Sequence, residues 1–273
     1  MTNLLYSITL ELHALESTNI PATTGHQAHA LFLDLVRQVQ PDLAARLHDE
    51  PDYRPFTVSM LNGALVRDGQ LQLRAGQLYR LRITLLDGGA LWQCLSSYFL
   101  ETSPITLRMG QAEFQLARVY SSSQTDPTGW AGHTSWQTLA AIPAQRTITL
   151  RFASPCAFSM GNRQFALFPE PSLVWDSLMR TWNRYSPEIL RINKQGLRDF
   201  VSQQVAISDY ELHTSCLHFP HALQKGFLGT CSYQVKTTNG YAPQLATLAA
   251  FAQYAGVGYK TTMGMGQTRI EEM

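Results

Sequence analysis

The hydrophobic patterning predicts an α+β protein made of two tandem ferredoxin-like (βαββαβ) domains. Two observations carry the prediction. Apolar residues switch between period two and period 3.6 in the order strand, helix, strand, strand, helix, strand. The same six-element order then appears a second time, as a repeat of topology rather than of residues. With 273 residues, the chain is long enough for each domain to bury a core of its own.

In the first half, residues 3–15 alternate as a strand with Leu5, Ile8, Leu10 and Leu12 as apolar points. From Gly25 the period lengthens, and Ala28, Leu31, Leu35 and Val39 define one face of a helix. Pro41 ends that helix, because the residue before a proline avoids the α region. It can also begin a second short helix over 41–47. Residues 55–61 read as a short strand closed by the Asn62-Gly63 turn signal. Residues 70–86 are strand-rich, 90–100 form a helix opened by Gly88-Gly89, and 105–120 return to strand with an interruption near Gly110. The first domain is thus expected over 1–120.

Residues 121–145, rich in Ser, Thr, Gly and Pro, read as a linker or packed loop, with Trp130 and Trp136 arguing that part of it packs. The second domain is expected over 146–273. It opens with a strand at 147–158, followed by a helix from Pro171 with Val174, Leu178 and Trp182 as its apolar stripe. Residues 204–219 and 226–235 are strand-like. A helix over 244–255 buries Leu245, Leu248, Ala252 and Ala255 and ends at Gly256, a natural C-cap. Residues 268–271 can form a closing strand.

Composition narrows the function classes. Hydrophobic residues make up 45% and charged residues 15%, which excludes a largely disordered chain. No apolar run reaches the ~20 residues of a membrane-spanning helix, and the start carries no basic leader. A cytoplasmic protein with no membrane partner is expected. Four cysteines at 94, 156, 216 and 231 form no Cys-x-x-Cys pair and read as buried free thiols. Residues 1–145 carry 9 Lys/Arg against 12 Asp/Glu, and 146–273 carry 12 against 8. Of the 21 basic residues, 17 are Arg, the side chain better suited to phosphate.

The sharpest motif is Gly256-Val257-Gly258-Tyr259-Lys260-Thr261-Thr262-Met263-Gly264-Met265-Gly266-Gln267-Thr268-Arg269. Two Gly-x-Gly pairs flank five residues. Glycines let backbone approach a phosphate, and Lys260 and Arg269 add charge. The same string also reads as a plain helix-to-strand loop. It lacks the Gly-Lys-Ser/Thr of a P-loop and follows a helix rather than a strand, so it is not a dinucleotide fingerprint.

This string resembles the C-terminal signature of the CRISPR-associated repeat-processing endoribonucleases, in the repeat-associated mysterious protein superfamily. Two further strings agree: Phe152-Ala153-Ser154-Pro155-Cys156-Ala157-Phe158 resembles the family's opening strand of the second domain, and Pro171-Ser172-Leu173-Val174-Trp175-Asp176-Ser177-Leu178 its following helix. In the first half, residues 40–48 continuing to Arg54-Pro55-Phe56-Thr57 resemble the part that carries the family's catalytic histidine. His48, Arg54, Phe56 and Thr57 match that pattern residue by residue. Two departures stand out: the family often has Lys where Arg54 stands, and some members place a Tyr where ungapped counting reaches Leu33.

Chemistry supports that assignment from another side. An imidazole with an ordinary pKa near 6.5 can take or give a proton near neutrality, as in-line attack of a ribose 2′-OH on the adjacent phosphorus requires. Arg54 could stabilise charge developing on the phosphoryl oxygens. From spacing alone, His48 could equally cap its helix C-terminus. His26 and His29, one helical turn apart, are the alternative catalytic histidines. Arg180, Arg184 and Lys194 lie in the densest basic region and are candidate phosphate contacts along an RNA hairpin. His213, Cys216, His218 and His221 suggest zinc, but in one strand 213 faces away from 216 and 218. No metal and no cofactor are expected.

The resemblance therefore implies metal-independent endoribonuclease cleavage of CRISPR precursor RNA within its repeats, leaving 5′-OH and 2′,3′-cyclic phosphate ends. His48 and Arg54 would be catalytic. Gly256, Gly258, Lys260, Gly264, Gly266, Arg269, Arg180, Arg184 and Lys194 would bind RNA. CRISPR repeat RNA is the implied partner, with other CRISPR-associated proteins as further ones. The alternative is a non-catalytic RNA-binding subunit of an interference complex.

Overall fold

The computed structural model describes residues 4–50, 53–219 and 222–271. They divide into two units. The first runs to His133 and includes Thr262–Gly264, and the second comprises Thr134–Thr261 and the residues from Met265 onward.

In the first unit, four strands form the ferredoxin-like sheet: Leu4–Ala14, Phe56–Val58, Leu78–Leu85 and Ala112–Tyr120. Their order across the sheet is second, third, first, fourth, with Thr106–Met109 added beyond the fourth. The pairings are antiparallel. Helices Gly25–Val39 and Gly89–Glu101 supply the crossovers. Ile8, Leu10 and Leu12 pack with Phe32, Phe56, Leu81 and Ile83 in one core.

The intervening positions Ser7, Thr9 and Glu11 are buried as well, although polar. The segment after residue 120 covers them. Ser7 donates to the Trp130 carbonyl (2.6 Å), and Thr9 to the Asp126 carboxylate (3.1 Å). Arg82, opposite Thr9, donates to the Ser7 hydroxyl and stacks its guanidinium over the Trp130 ring. Asp126 also accepts from the amides of Thr128, Trp130 and Ala131. Burial alone would raise its pKa. The bonds from Thr128, Ala131 and Thr9 outweigh that and hold it below the usual carboxylate range.

The second unit repeats the order: Val205–Phe219, Ala222–Val235, Thr147–Cys156 and Thr268–Ile270 lie side by side, again second, third, first, fourth. Helices Pro171–Tyr185 and Ala242–Ala255 supply its crossovers. Trp136, Trp182 and Phe251 form a buried aromatic cluster with centroid separations of 5.0–5.4 Å. The chain is therefore an α+β protein of tandem ferredoxin-like domains.

Local details differ from the patterning. The strand-rich stretch 70–86 breaks into Gln70–Leu73 and Leu78–Leu85, because the chain turns at Gly76 (φ 73°). Gln70–Leu73 instead joins Thr18–Pro21 and Leu65–Arg67 in a small separate sheet. The strand expected over 105–120 is a hairpin folded at Gly110 (φ 63°). Within 121–145 lie a short strand, Gly132–Ser135, and a helix, Trp136–Ala140, capped by Ser135. A further helix, Lys194–Gln204, lies outside the expected order of elements. Asn193 caps it by accepting from the Gly196 amide (2.8 Å). Among the described residues no helix is long and apolar enough to cross a membrane.

Candidate RNA-processing site

The sequence places His48 in the last turn of helix Pro41–Asp49, where Pro41 opens the helix and Ala44 and Leu47 anchor it to the core. His48 itself is exposed. Its Nδ1 lies 2.8 Å from the Asp49 carboxylate. A carboxylate can only accept, so Nδ1 carries the proton and Nε2 is left for a ligand. The chain beyond the helix is pinned near Tyr53, whose ring lies under the Arg46 guanidinium (3.9 Å) and whose hydroxyl donates to Asp87 (3.1 Å). Half-buried Arg54 follows and leads into strand Phe56–Val58.

His29 occupies a different setting. It is half-buried on helix Gly25–Val39, with its ring 5.4 Å from Phe56 and its Nδ1 2.9 Å from the Thr262 carbonyl. Burial pushes its pKa below the usual imidazole value. The bond to Thr262 opposes this, and the charges of Arg54, His26 and His48 push it further down. These four groups therefore share one electrostatic neighbourhood in the first unit. His26 is exposed, and Leu33 is buried. Residues Thr262–Gly264 are tightly fitted there. A Cβ at Gly25 would come 1.8 Å from the Met263 carbonyl, and Gly264 (φ 87°) bridges to Ser59.

In the second unit, the glycine-rich motif turns out to be knitted into the protein. Val257 donates to the Gly266 carbonyl (2.8 Å), Gly258 to the Ser177 hydroxyl (2.9 Å), Tyr259 to Ala157 (2.8 Å) and Gly266 to Pro155 (3.0 Å). Val257 and Met265 are fully buried. The expectation is that these glycines let backbone approach a phosphate; the Gly258 and Gly266 amides already have partners within the protein. Their amides are spent inside, and the missing Cβ is needed for packing: at Gly266 it would fall 2.0 Å from the Val257 carbonyl. Gly256 (φ 64°) ends its helix in a conformation only glycine adopts freely. Residues 258–263, Lys260 among them, remain half-exposed.

The basic residues are partly neutralised. Arg180 and Arg198 share the Asp176 carboxylate (3.3 and 2.6 Å). Arg184 and Lys194 are exposed. Arg269 lies opposite Arg151, which pairs with Glu271 (3.1 Å). His213, Cys216 and His218 lie on strand Val205–Phe219, and His221 falls outside the described residues. Among the described residues no three His, Cys, Asp or Glu side chains gather as a metal site. Sequence reasoning missed the aromatic setting of Lys260, since Phe219, beside its ammonium, and Phe165, beside Tyr259, are remote in the chain and belong to no motif.

Two ferredoxin-like units and a terminal glycine-rich motif define the class, tandem ferredoxin-like α+β proteins. Residues 4–141 match the CRISPR Cas6 N-terminal domain, and residues 150–268 match the CRISPR-associated endoribonuclease Cas6. The chain belongs to the Cas6 family. It is 31% identical over 132 residues to the CRISPR-associated endoribonuclease Cas6 of Streptococcus thermophilus, covering 47% of this chain and 52% of that one. Against the Mycobacterium tuberculosis Cas6, identity is 26% over 137 residues, 49% of this chain and 41% of that one. These matches span about half the length of the curated relatives. Among solved structures, a Thermus thermophilus Cas6 in a product complex superposes with a TM-score of 0.81 at 29% identity, covering 98% of this chain and all of that one. A second Cas6 product complex gives 0.77 at 26%, with 98% and 100% covered.

Proposed function

We propose that this chain is an endoribonuclease that cuts CRISPR precursor transcripts within their repeats, without a metal. The observation that carries the reading is the exposed His48 on a pinned helix end, in the same electrostatic neighbourhood as Arg54, in a chain of the Cas6 family. Relatives named as endoribonucleases, and similar structures described as product and substrate mimic complexes, support it. One similar structure is a histidine-to-alanine mutant, in keeping with a histidine at the centre of the chemistry.

The chemistry needs three things. The ribose 2′-OH loses its proton and its oxygen attacks the adjacent phosphorus. The bond from phosphorus to the 5′-oxygen breaks, and that oxygen gains a proton. His48, through Nε2, serves one of the two proton steps. Arg54 offsets the charge that builds on the phosphoryl oxygens. The products are a 2′,3′-cyclic phosphate and a 5′-OH. Lys260, Arg269, Arg184 and Lys194 supply contacts to the RNA backbone, with Arg180 weaker because Asp176 already holds it.

The test is a labelled repeat RNA from the protein's own genome, incubated in EDTA from pH 5 to 9 beside the same RNA with a 2′-deoxy at the cut site. A single cut that survives EDTA and disappears with the deoxy substitution supports the proposal. Tight binding with no cut would replace it with a non-catalytic RNA-binding subunit.

A further inference from the structure

The half-exposed residues around Lys260 form a feature that backbone contacts to RNA do not account for. Lys260 is held at φ 56°, in the left-handed region that residues with a Cβ rarely adopt. Its Nζ lies 3.9 Å from the centre of the Phe219 ring and 5.5 Å from that of Tyr259. Tyr259 in turn packs against Phe165, with ring centres 5.2 Å apart. These residues come from separate segments of the second unit: the end of strand Val205–Phe219, the short strand Phe165–Ala166, and the glycine-rich motif. The Tyr259 amide is fixed to the Ala157 carbonyl (2.8 Å), which sets the place of both Tyr259 and its neighbour.

The electrostatics are unbalanced. Desolvation alone pushes the Lys260 ammonium below its usual pKa, with no opposing carboxylate among the described residues. Aromatic faces steady a cation without neutralising it. A partly desolvated cation on a strained backbone is a setting found at ligand sites, where it can receive an anion. Half-exposed rings beside that cation offer a planar partner at the same time. One chemistry supplies both: a nucleotide, whose base stacks on a ring and whose phosphate meets the ammonium. The base must be unpaired, because bases in an A-form stem are stacked within the helix and unavailable to a ring face.

We propose that Phe165, Tyr259, Phe219 and Lys260 form a subsite for one unpaired nucleotide of the RNA substrate, with the base stacked on the aromatic cluster and the phosphate on the Lys260 ammonium. This rests on the RNA-cleaving reading above and adds to it a recognition element specific for a single-stranded position.

The test combines single abasic substitutions along the repeat RNA with the Tyr259→Leu and Lys260→Gln variants, read by binding anisotropy at several salt concentrations and by cleavage rate. In the wild type, one abasic position, in an unpaired stretch, weakens binding by about fivefold or more, the scale of one stacked base. Tyr259→Leu weakens binding of intact RNA by a similar factor and abolishes the effect of that abasic site. Lys260→Gln lowers the steepness of the log–log salt dependence by about 0.7, the share of one single-strand phosphate. The inference is overturned if the wild type cuts the RNA but every abasic effect persists unchanged in Tyr259→Leu, or if the sensitive position lies in a paired stem. It is overturned also if Lys260→Gln leaves the salt dependence as it was. A wild type that neither binds nor cuts the repeat overturns the RNA-cleaving reading itself, and this subsite with it.

Discussion

Replacing Gly266 by alanine tests whether the glycine-rich motif is structural. Gly266 has φ 67°, and a Cβ there would lie 2.0 Å from the Val257 carbonyl oxygen. The ordinary limit is a little over 3 Å, so backbone must move by more than an ångström. Left-handed strain adds about 1–2 kcal/mol. Moving the two segments apart also loosens the Val257-to-Gly266 hydrogen bond (2.8 Å), and Val257 is fully buried. A buried donor left unsatisfied costs about 1–3 kcal/mol. Together the cost is about 2–5 kcal/mol. Gly161 is the matched control in the same unit: its φ is 85°, but nothing lies within 4 Å of a Cβ there, so Gly161→Ala incurs the strain alone. In a domain of this size each kcal/mol moves the melting temperature by about 2–4 °C. Thermal unfolding should therefore place Gly266→Ala well below Gly161→Ala, by up to roughly 10 °C. If the two variants melt together, and Gly266→Ala loses only RNA affinity, the glycines serve the ligand rather than the fold and the packing account is wrong.

Other consequences are open to equally direct measurement. His48→Ala should lower the single-turnover cleavage rate by about 10²–10⁴ while shifting stability by no more than about 0.5 kcal/mol, since the side chain is exposed; an unchanged rate would remove His48 from the chemistry. His29 has a lowered folded-state pKa, so the unfolded chain binds its proton more readily. Its contribution is complete above the unfolded value of 6.5 and is lost as pH falls below that value. Melting curves from pH 8 to 5 should show a smaller acid loss in His29→Gln than in the wild type. Asp126→Ala strips the acceptor from Thr9, Thr128 and the Trp130 and Ala131 amides and should cost about 1–3 kcal/mol, measured by urea unfolding. Desolvation raises the Cys231 thiol to about 11 and Cys156 further still. A maleimide should thus label Cys94 and Cys216 in the native protein well before Cys156 and Cys231, and equal rates would contradict the burial.

The order of elements was legible because hydrophobic period is a local property. Leu5, Ile8 and Leu10, or Val174, Leu178 and Trp182, announce a strand or a helix without reference to anything distant. Pro41 and Gly256 marked ends because their own backbones restrict what can precede or follow them. His48 at the end of a short helix was legible for the same reason, once its spacing to Arg54 was set beside a known family pattern.

What tertiary structure decided was how residues far apart in the chain use one another. The glycines of the C-terminal motif looked like a surface for phosphate, and the sequence could not show that Pro155, Ala157 and Ser177 would take the amides. The alternation of the first strand marks its apolar points and does not show that Asp126, Trp130 and Arg82 bond to the buried Ser7 and Thr9 between them. His26 and His29 lie one helical turn apart, but His29 alone is half-buried, against Phe56 and the carbonyl of Thr262, 233 positions away. The physical reason is one and the same. A hydrogen bond or ring contact between distant segments leaves no periodic trace in either, so local pattern determines the elements, and the packed fold alone determines which side chains are spent on it and which remain for a ligand.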